Sequence, residues 1–382
     1  MAKTDMTKTQ TDERLHSLDA LRGIAAFLMI FYHYMVHVQP DITVVFPHPF
    51  IRIGAIVSSC GALLVQFFFV LSGFIFYKTY KERIQSHNIS LQEFCVMRFS
   101  RLYPLAWVTI VFQLVINVWI KFVFGQGSFS IYNILTSALM IDGYWLSKTA
   151  TSINGPSWSL SAEIMAYLSF FLLTYYSKIK NGILLYVVPI FISILLFNLN
   201  LQYPIILPMF VRVFFGFFVG CLTCALYEWG SQNNKMKARI TLISGFTIVG
   251  VLGIYYFAPS LIGDMSYLGN NIIVFTFMVF APLLIIVLNV RPIKKCLSLK
   301  IFRWLGDLSF SIYMLHFCLI TIVMALNTHS LFPTNIVSSR KFIIAIAIIT
   351  LILAHVSHYY YERPVQAFIR RKYRARCVRG SL

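Results

Sequence analysis

Charged side chains are scarce in this chain: Asp, Glu, Lys and Arg make up 12% of its 382 residues, while 58% are hydrophobic. Soluble globular domains average about 25% charged residues, so a soluble globule is excluded. Acidic residues are scarcer still, 13 against 32 basic ones. The seven cysteines lie scattered, with neither metal-ligand nor disulfide spacing, which removes a disulfide framework and a cysteine metal centre. Cys221-x-x-Cys224 falls inside an apolar helix and reads as small packing residues. No small-residue cleavage site follows the first apolar run, so no cleavable signal peptide is expected. Internal repeats, low-complexity tracts and interdomain linkers are also missing.

What is present is apolar sequence in span-length runs. A window of about 19 residues finds roughly ten of them, near 18–38, 55–77, 103–124, 158–176, 183–198, 205–228, 240–257, 271–290, 308–326 and 341–361. The expected fold is all-α: a polytopic integral membrane protein of about ten transmembrane helices. Residues 1–16 read as an N-terminal segment, 17–364 as the transmembrane domain and 365–382 as a basic tail. The net charge of +19 suggests nucleic acid at first sight, but its placement argues against that partner. All but seven basic residues fall in alternate loops or the two terminal segments. The seven are Arg22 and Arg212 within spans, and Arg52, Lys121, Lys148, Arg340 and Lys341 on the other side. By the positive-inside rule both termini face the cytoplasm. The longest outer loop, about 125–157, has room for a short surface helix near Ile131–Met140.

Within the first span stand Arg22 and His33. Eleven residues at about 100° each come to roughly 1100°, within about 20° of three turns, so both lie on one helix face roughly 16 Å apart along the axis. Ionisable groups at membrane depth are costly and by default mark a site. Asp19 is placed to pair with Arg22 from the same face. The bland alternative has Arg22 snorkelling to headgroups and His33 bonding another helix. His37 extends the face; with no carboxylate beside it, no metal is expected there.

Further candidates follow along the chain. Arg98 and Arg101, at i and i+3, share one face if the third helix begins early, and guanidinium forks suit phosphate oxygens. Plain anchoring of the inner loop explains them as well. Ser72-Gly73 is a small patch among phenylalanines that admits close approach by a neighbouring backbone or a ligand. In Asn154-Gly-Pro-Ser-Trp158-Ser-Leu-Ser-Ala-Glu163, Pro156 and Trp158 suit a helix start at the interface. Glu163 then lies about one and a half turns into apolar sequence, where it is suited to orient a histidine, hold a polar substrate or bond another helix. Ser309, Tyr313 and His316 form one polar stripe that can line a cavity. The last span closes on His355, His358 and Glu362-Arg363-Pro364, where proline is expected to end the helix.

Taken in order, Leu18-Asp-Ala-Leu-Arg22-Gly with His33, the Phe-Phe-x-x-Ser-Gly stretch ending at Gly73, Arg98-x-x-Arg101, Trp158-Ser-Leu-Ser-x-Glu163 and Gly306-x-x-Ser309-x-x-x-Tyr313-x-x-His316 resemble the membrane acyltransferase-3 family over roughly residues 15–364. That family includes bacterial O-antigen and exopolysaccharide O-acetyltransferases. The resemblance implies a ten-helix fold in an inner membrane that takes an acyl group from cytoplasmic acyl-CoA, acetyl-CoA above all, to a hydroxyl of an extracytoplasmic glycan. It implies that His33 is the essential histidine, Arg22 its partner, and Arg98 and Arg101 residues of the donor side. Ser72, Tyr313 and His316 join the candidate donor-binding set, and Glu163 the catalytic one. No tightly bound cofactor is expected; the partners are acyl-CoA, the glycan acceptor and membrane lipids. Some relatives carry a fused extracytoplasmic hydrolase-like domain, and this chain is expected to lack one. His33 serves either as general base or as transient acyl carrier. A rival of another class, a secondary transporter or glycan flippase, explains ten spans and buried charges but not a cytoplasmic arginine pair coupled to an intramembrane histidine. A different acyl group, or a lipid or small-molecule acceptor, keeps the fold and changes the chemistry. Oligomeric state is not encoded legibly.

Overall fold

The structure is a computed structural model that describes residues 2–39, 41, 45, 51–125, 130–142, 152–176, 182–198, 206–257, 268–329, 331 and 333–380. The loop lysines Lys148, Lys178 and Lys180 lie outside the described residues. Among the described residues the regular structure is helical throughout. In order it comprises α1 (Ala2–His37), α2 (Ile51–Gln85), α3 (Leu91–Phe124), α4 (Ile131–Ala138), α5 (Ser157–Tyr175), α6 (Leu184–Asn198), α7 (Ile206–Gly230), α8 (Asn234–Phe257) and α9 (Leu268–Phe275). A π-turn (Thr276–Phe280) leads to α10 (Ala281–Asn289), α11 (Arg291–Leu297), α12 (Lys300–Thr328), α13 (Thr334–Val337) and α14 (Arg340–Ser357). A second π-turn (His358–Glu362) joins α14 to α15 (Arg363–Gly380).

Among the described residues, eight helices are long and apolar enough to cross a membrane, so the chain is a multi-pass membrane protein. Two of the ten expected spans differ from these eight. The fourth corresponds to α5, whose 19 residues begin with Ser157, Ser159, Ser161 and Glu163 and so dilute its hydropathy. The fifth corresponds to the short apolar helix Leu184–Phe197.

Local chemistry sets the helix limits. Ser90-x-x-Glu93 starts α3, the Ser90 hydroxyl accepting from the Glu93 N–H at 3.1 Å. Gly125 ends it in the left-handed region at φ 68°, its N–H reaching the Lys121 carbonyl at 2.9 Å. Because α3 begins at Leu91, Arg98 and Arg101 are both helical. Pro364 does not end the last span. The π-turn before it has the Arg363 N–H bonded to the His358 carbonyl, five residues back. That wide turn accommodates the proline ring and its missing N–H, and the helix runs on into α15.

The chain forms two compact units, one of residues 1–25, 59–86 and 165–307, the other of residues 26–58, 87–164 and 308–382. In the first, α2 and α7 cross backbone to backbone: a Cβ at Gly73 would land on the Phe217 carbonyl, and one at Gly220 on the Val70 carbonyl. The Gln66 amide donates to the Arg212 carbonyl at 3.2 Å beside this crossing. Lys78 and Glu228 pair at 2.6 Å toward the other end. The beginnings of α1 and α12 meet at a second glycine contact, Gly23 against Leu305 and Gly306 against Asp19. Ala20, Val287 and Leu297 pack close by with Leu21, Ile24, Leu283 and Phe302 around them.

In the second unit, α3 and α12 run side by side. The Gln113 amide donates to the Thr321 hydroxyl at 2.8 Å, and Phe124 stacks on His329 at 3.6 Å. The segment after α3 then folds back along it. Trp107 Nε1 donates to the Ala138 carbonyl at 2.8 Å, and the Tyr103 hydroxyl to the Leu139 carbonyl at 3.3 Å. Trp107 precedes Phe124 by roughly 26 Å of helix rise. The short helix expected near Ile131–Met140 therefore exists as α4, but it is docked deep on the flank of α3 instead of lying at its end. These bonds give the carbonyls of the fold-back segment partners. Met140 turns the chain with φ 54° while buried. The Asn154 amide then donates to the Met314 carbonyl on α12 at 3.0 Å. The start of α5 is thus enclosed by protein: Asn154 and Ser157 are buried.

Candidate active site

His33 and His316 lie on separate helices and meet ring to ring. His33 Nδ1 is 2.8 Å from His316 Nε2, and the ring centroids are 5.0 Å apart. His316 Nδ1 lies 3.0 Å from the carbonyl oxygen of Ile312, one turn earlier on α12. His316 is fully buried and has both ring nitrogens engaged. The sequence groups it with donor-binding residues; its geometry is that of a partner to His33. On the other side, His37 stacks on His33 at 5.8 Å and is exposed. The three rings therefore lead from the buried interior of the unit to its surface.

Phe317 walls this cluster, set edge-on to His33 at 5.4 Å and to His37 at 5.7 Å. Gly155 makes room for it, since a Cβ there would lie 2.7 Å from the Phe317 ring. The stripe residue Tyr313 shares a hydrogen bond with Ser159 at 2.8 Å, and its hydroxyl lies 3.4 Å from the Pro156 carbonyl. Tyr313 thus ties the beginning of α5 to α12, one turn from His316. Ser309, earlier on the stripe, is buried.

Glu163 is buried on α5, roughly 9 Å of helix rise beyond Ser157. Arg98 and Arg101 sit near the start of α3, Arg98 partly buried over the Phe94 ring and Arg101 exposed. Arg370 of α15 reaches the same turn, donating from Nε to the Ser100 hydroxyl at 3.2 Å and from Nη2 to the Met97 carbonyl at 3.4 Å. In the first unit, Arg22 pairs with Asp19 at 2.8 Å, the pairing the spacing implies. Ser72 is partly buried next to Gly73, whose free face is filled by the α7 backbone.

One polar centre has no counterpart in the sequence reading. Asp142 is buried and accepts hydrogen bonds from Ser137 at 3.1 Å, from Ser157 at 2.7 Å and from Ser161. Three hydroxyls thereby hold a carboxylate at the start of α5, where a helix N-terminus also favours negative charge. The signal available in the sequence was the i, i+4 serine pair 157/161 at a helix start.

Chemically, a hydrogen-bonded imidazole pair inside apolar helices is suited to moving a proton. A family model described as an acyltransferase domain matches residues 15–368. The chain is similar to O-acetyltransferase OatA of Staphylococcus aureus (strain NCTC 8325 / PS 47), 25% identical over 398 residues that cover 94% of this chain and 58% of that protein. It is similar to peptidoglycan O-acetyltransferase OatA of Listeria monocytogenes, 24% identical over 364 residues, 86% of this chain and 53% of the relative. Acyltransferase MdmB of Streptomyces mycarofaciens is 31% identical over 116 residues, 30% of this chain and 28% of its own length. The chain spans somewhat over half the length of the OatA proteins it matches. No solved structure matches it.

Proposed function

The chain belongs to the membrane acyltransferase-3 family, and we propose that it is a membrane-embedded O-acyltransferase moving an acetyl group from cytoplasmic acetyl-CoA to a hydroxyl of an extracytoplasmic glycan. The observation that carries this reading is the hydrogen-bonded imidazole pair His33–His316 inside apolar helices. A buried histidine pair also suits a proton relay in a transporter, and it is the acyltransferase family match over residues 15–368 that favours group transfer. The OatA relatives are named for O-acetylation, one of them for peptidoglycan, which favours acetyl as the group and a sugar hydroxyl as the acceptor.

The donor's phosphates are too polar for the bilayer. Arg98 and Arg101 offer guanidinium forks for them at the start of α3. The pantetheine arm is comparable in length to the roughly 16 Å rise along α1 from Arg22 to His33, so the thioester reaches the level of the imidazole while the nucleotide stays at the inner face. There His33 takes the proton of the acceptor hydroxyl, whose oxygen attacks the thioester carbonyl carbon. The carbon–sulfur bond breaks, and the thiolate of CoA recovers a proton. Within the unit that holds His33, Glu163 orients the base or holds the acceptor sugar.

His33→Ala is expected to abolish transfer of radiolabelled acetyl from acetyl-CoA to glycan while leaving expression and membrane insertion intact. Normal acetylation by that variant discards the reading. Label that never leaves CoA in the wild-type protein favours a transporter instead. Mass spectrometry of surface glycans with and without the gene identifies group and acceptor together.

A further inference from the structure

We infer that His316 is a positioning residue that fixes the tautomer of His33, leaving Nε2 of His33 as the nitrogen that receives the substrate proton. The inference rests on the reading of His33 as the reacting base. It follows from where protons are allowed to sit. A carbonyl oxygen only accepts hydrogen bonds. His316 Nδ1 contacts the Ile312 carbonyl oxygen at 3.0 Å, so His316 carries its proton on Nδ1. In a neutral imidazole the other nitrogen is then a lone pair, and in His316 that nitrogen is Nε2. It faces His33 Nδ1 at 2.8 Å. Two lone pairs at that separation repel, so the proton between the rings belongs to His33 Nδ1. A neutral His33 with its proton on Nδ1 has its lone pair on Nε2. The Ile312 carbonyl thus sets the tautomer of His316, and His316 shares the Nδ1–H of His33 with the Met29 carbonyl one turn earlier on α1.

The arrangement has a consequence for the reaction. When the acceptor O–H bond breaks, a new N–H bond forms on His33 Nε2. The Nδ1 proton of His33 is then free to cross to His316 Nε2, which breaks one N–H bond and forms another. Positive charge passes to His316, whose Nδ1–H already rests on the Ile312 carbonyl. The hydroxyl's electron pair goes to the thioester carbon, the carbon–sulfur pair leaves with CoA, and the thiolate takes a proton back from the dyad. If His33 attacks the thioester itself, the same Nδ1 proton leaves toward His316 and yields a neutral acyl-imidazole. Either route uses His316 as the acceptor behind the reacting ring, a role analogous to the carboxylate that orients histidine in serine hydrolases.

The test uses the full-length protein in lipid nanodiscs, labelled with ¹⁵N-histidine. In the wild type, His33 is expected to show a protonated Nδ1 and a bare Nε2, assigned by the signals lost in His33→Ala. In His316→Phe the imidazole acceptor is gone and the Met29 carbonyl alone remains, so the Nδ1-protonated share of His33 is expected to fall. Acetyl transfer should fall on the order of 10²–10⁴-fold in kcat, with KM for acetyl-CoA unchanged. His316→Gln offers an amide oxygen to the same Nδ1–H and is expected to restore both the tautomer and activity to within about tenfold of wild type; it also covers the case in which the phenylalanine variant misfolds. A His33 nitrogen pattern unchanged in His316→Phe overturns the inference, as does His316→Gln performing no better than His316→Phe. These outcomes are distinct from failure of the functional reading, which is decided by the activity of His33→Ala alone.

Discussion

Gly23 and Gly306 are where the backbones of α1 and α12 touch: a Cβ at Gly306 would lie 2.7 Å from the Asp19 carbonyl carbon, and one at Gly23 would collide with the backbone of Leu305. The sequence steps from Gly23 to His33 and from Gly306 to His316 are equal, roughly 15 Å of helix rise each. Within the second unit, the imidazoles carried by the same two helices meet at 2.8 Å.

Gly23→Ala and Gly306→Ala each force backbone apart, because the atoms in the way are main chain and not flexible side-chain ends. A destabilisation of about 1–3 kcal/mol is expected, with acetyl transfer reduced more than the loss of folded protein explains. Thermal unfolding in detergent, alongside the transfer assay, measures both. Gly253→Ala is the control: its Cβ meets nothing within 4 Å, so it should leave both unchanged or slightly raise stability.

The arginines of α3 are expected to act on binding. Arg98→Ala combined with Arg101→Ala should raise KM for acetyl-CoA at least tenfold while kcat changes by less than about threefold. Lysine at both positions should recover part of the loss, since charge is kept but the planar fork is not. Steady-state kinetics at low and high salt test this, the wild-type advantage shrinking as salt rises.

Asp142 holds Ser137, Ser157 and Ser161 together, so Asp142→Ala should loosen the segment that folds back along α3. Hydrogen bonds to a buried carboxylate contribute about 1.5–3 kcal/mol each before compensation. The expected result is a drop of about 2 kcal/mol or more in stability and faster proteolysis between α4 and α5. Asp142→Asn, which keeps an acceptor, should lose less. Equal protease resistance in all three proteins would count against this role.

Much of the helical layout was legible because its causes are local. The capping pair Ser90-x-x-Glu93 marks the start of α3, and the Asp19–Arg22 pair follows from helical spacing alone. Tertiary placement was less legible. Asn154-Gly-Pro-Ser reads as an interfacial helix start, and nothing local says that Met314, far along the chain, accepts a bond from it. Pro364 looks like a stop because the compensating π-turn has no sequence signature. His33 and His316 were both visible as polar groups in apolar helices. Their partnership depends on rotation and register between helices, which residue patterns within one helix do not carry.

The segment that returns along α3 bears on how the protein is made. Its carbonyls and Asp142 are unsuited to hydrocarbon, so a nascent chain at this stage has no stable home in lipid for it. The α12 carbonyl that secures it lies 160 residues downstream of Asn154. At about 5–20 residues per second, translation delivers that anchor on the order of ten seconds or more later. The segment therefore reaches its final contacts only when the C-terminal third has arrived.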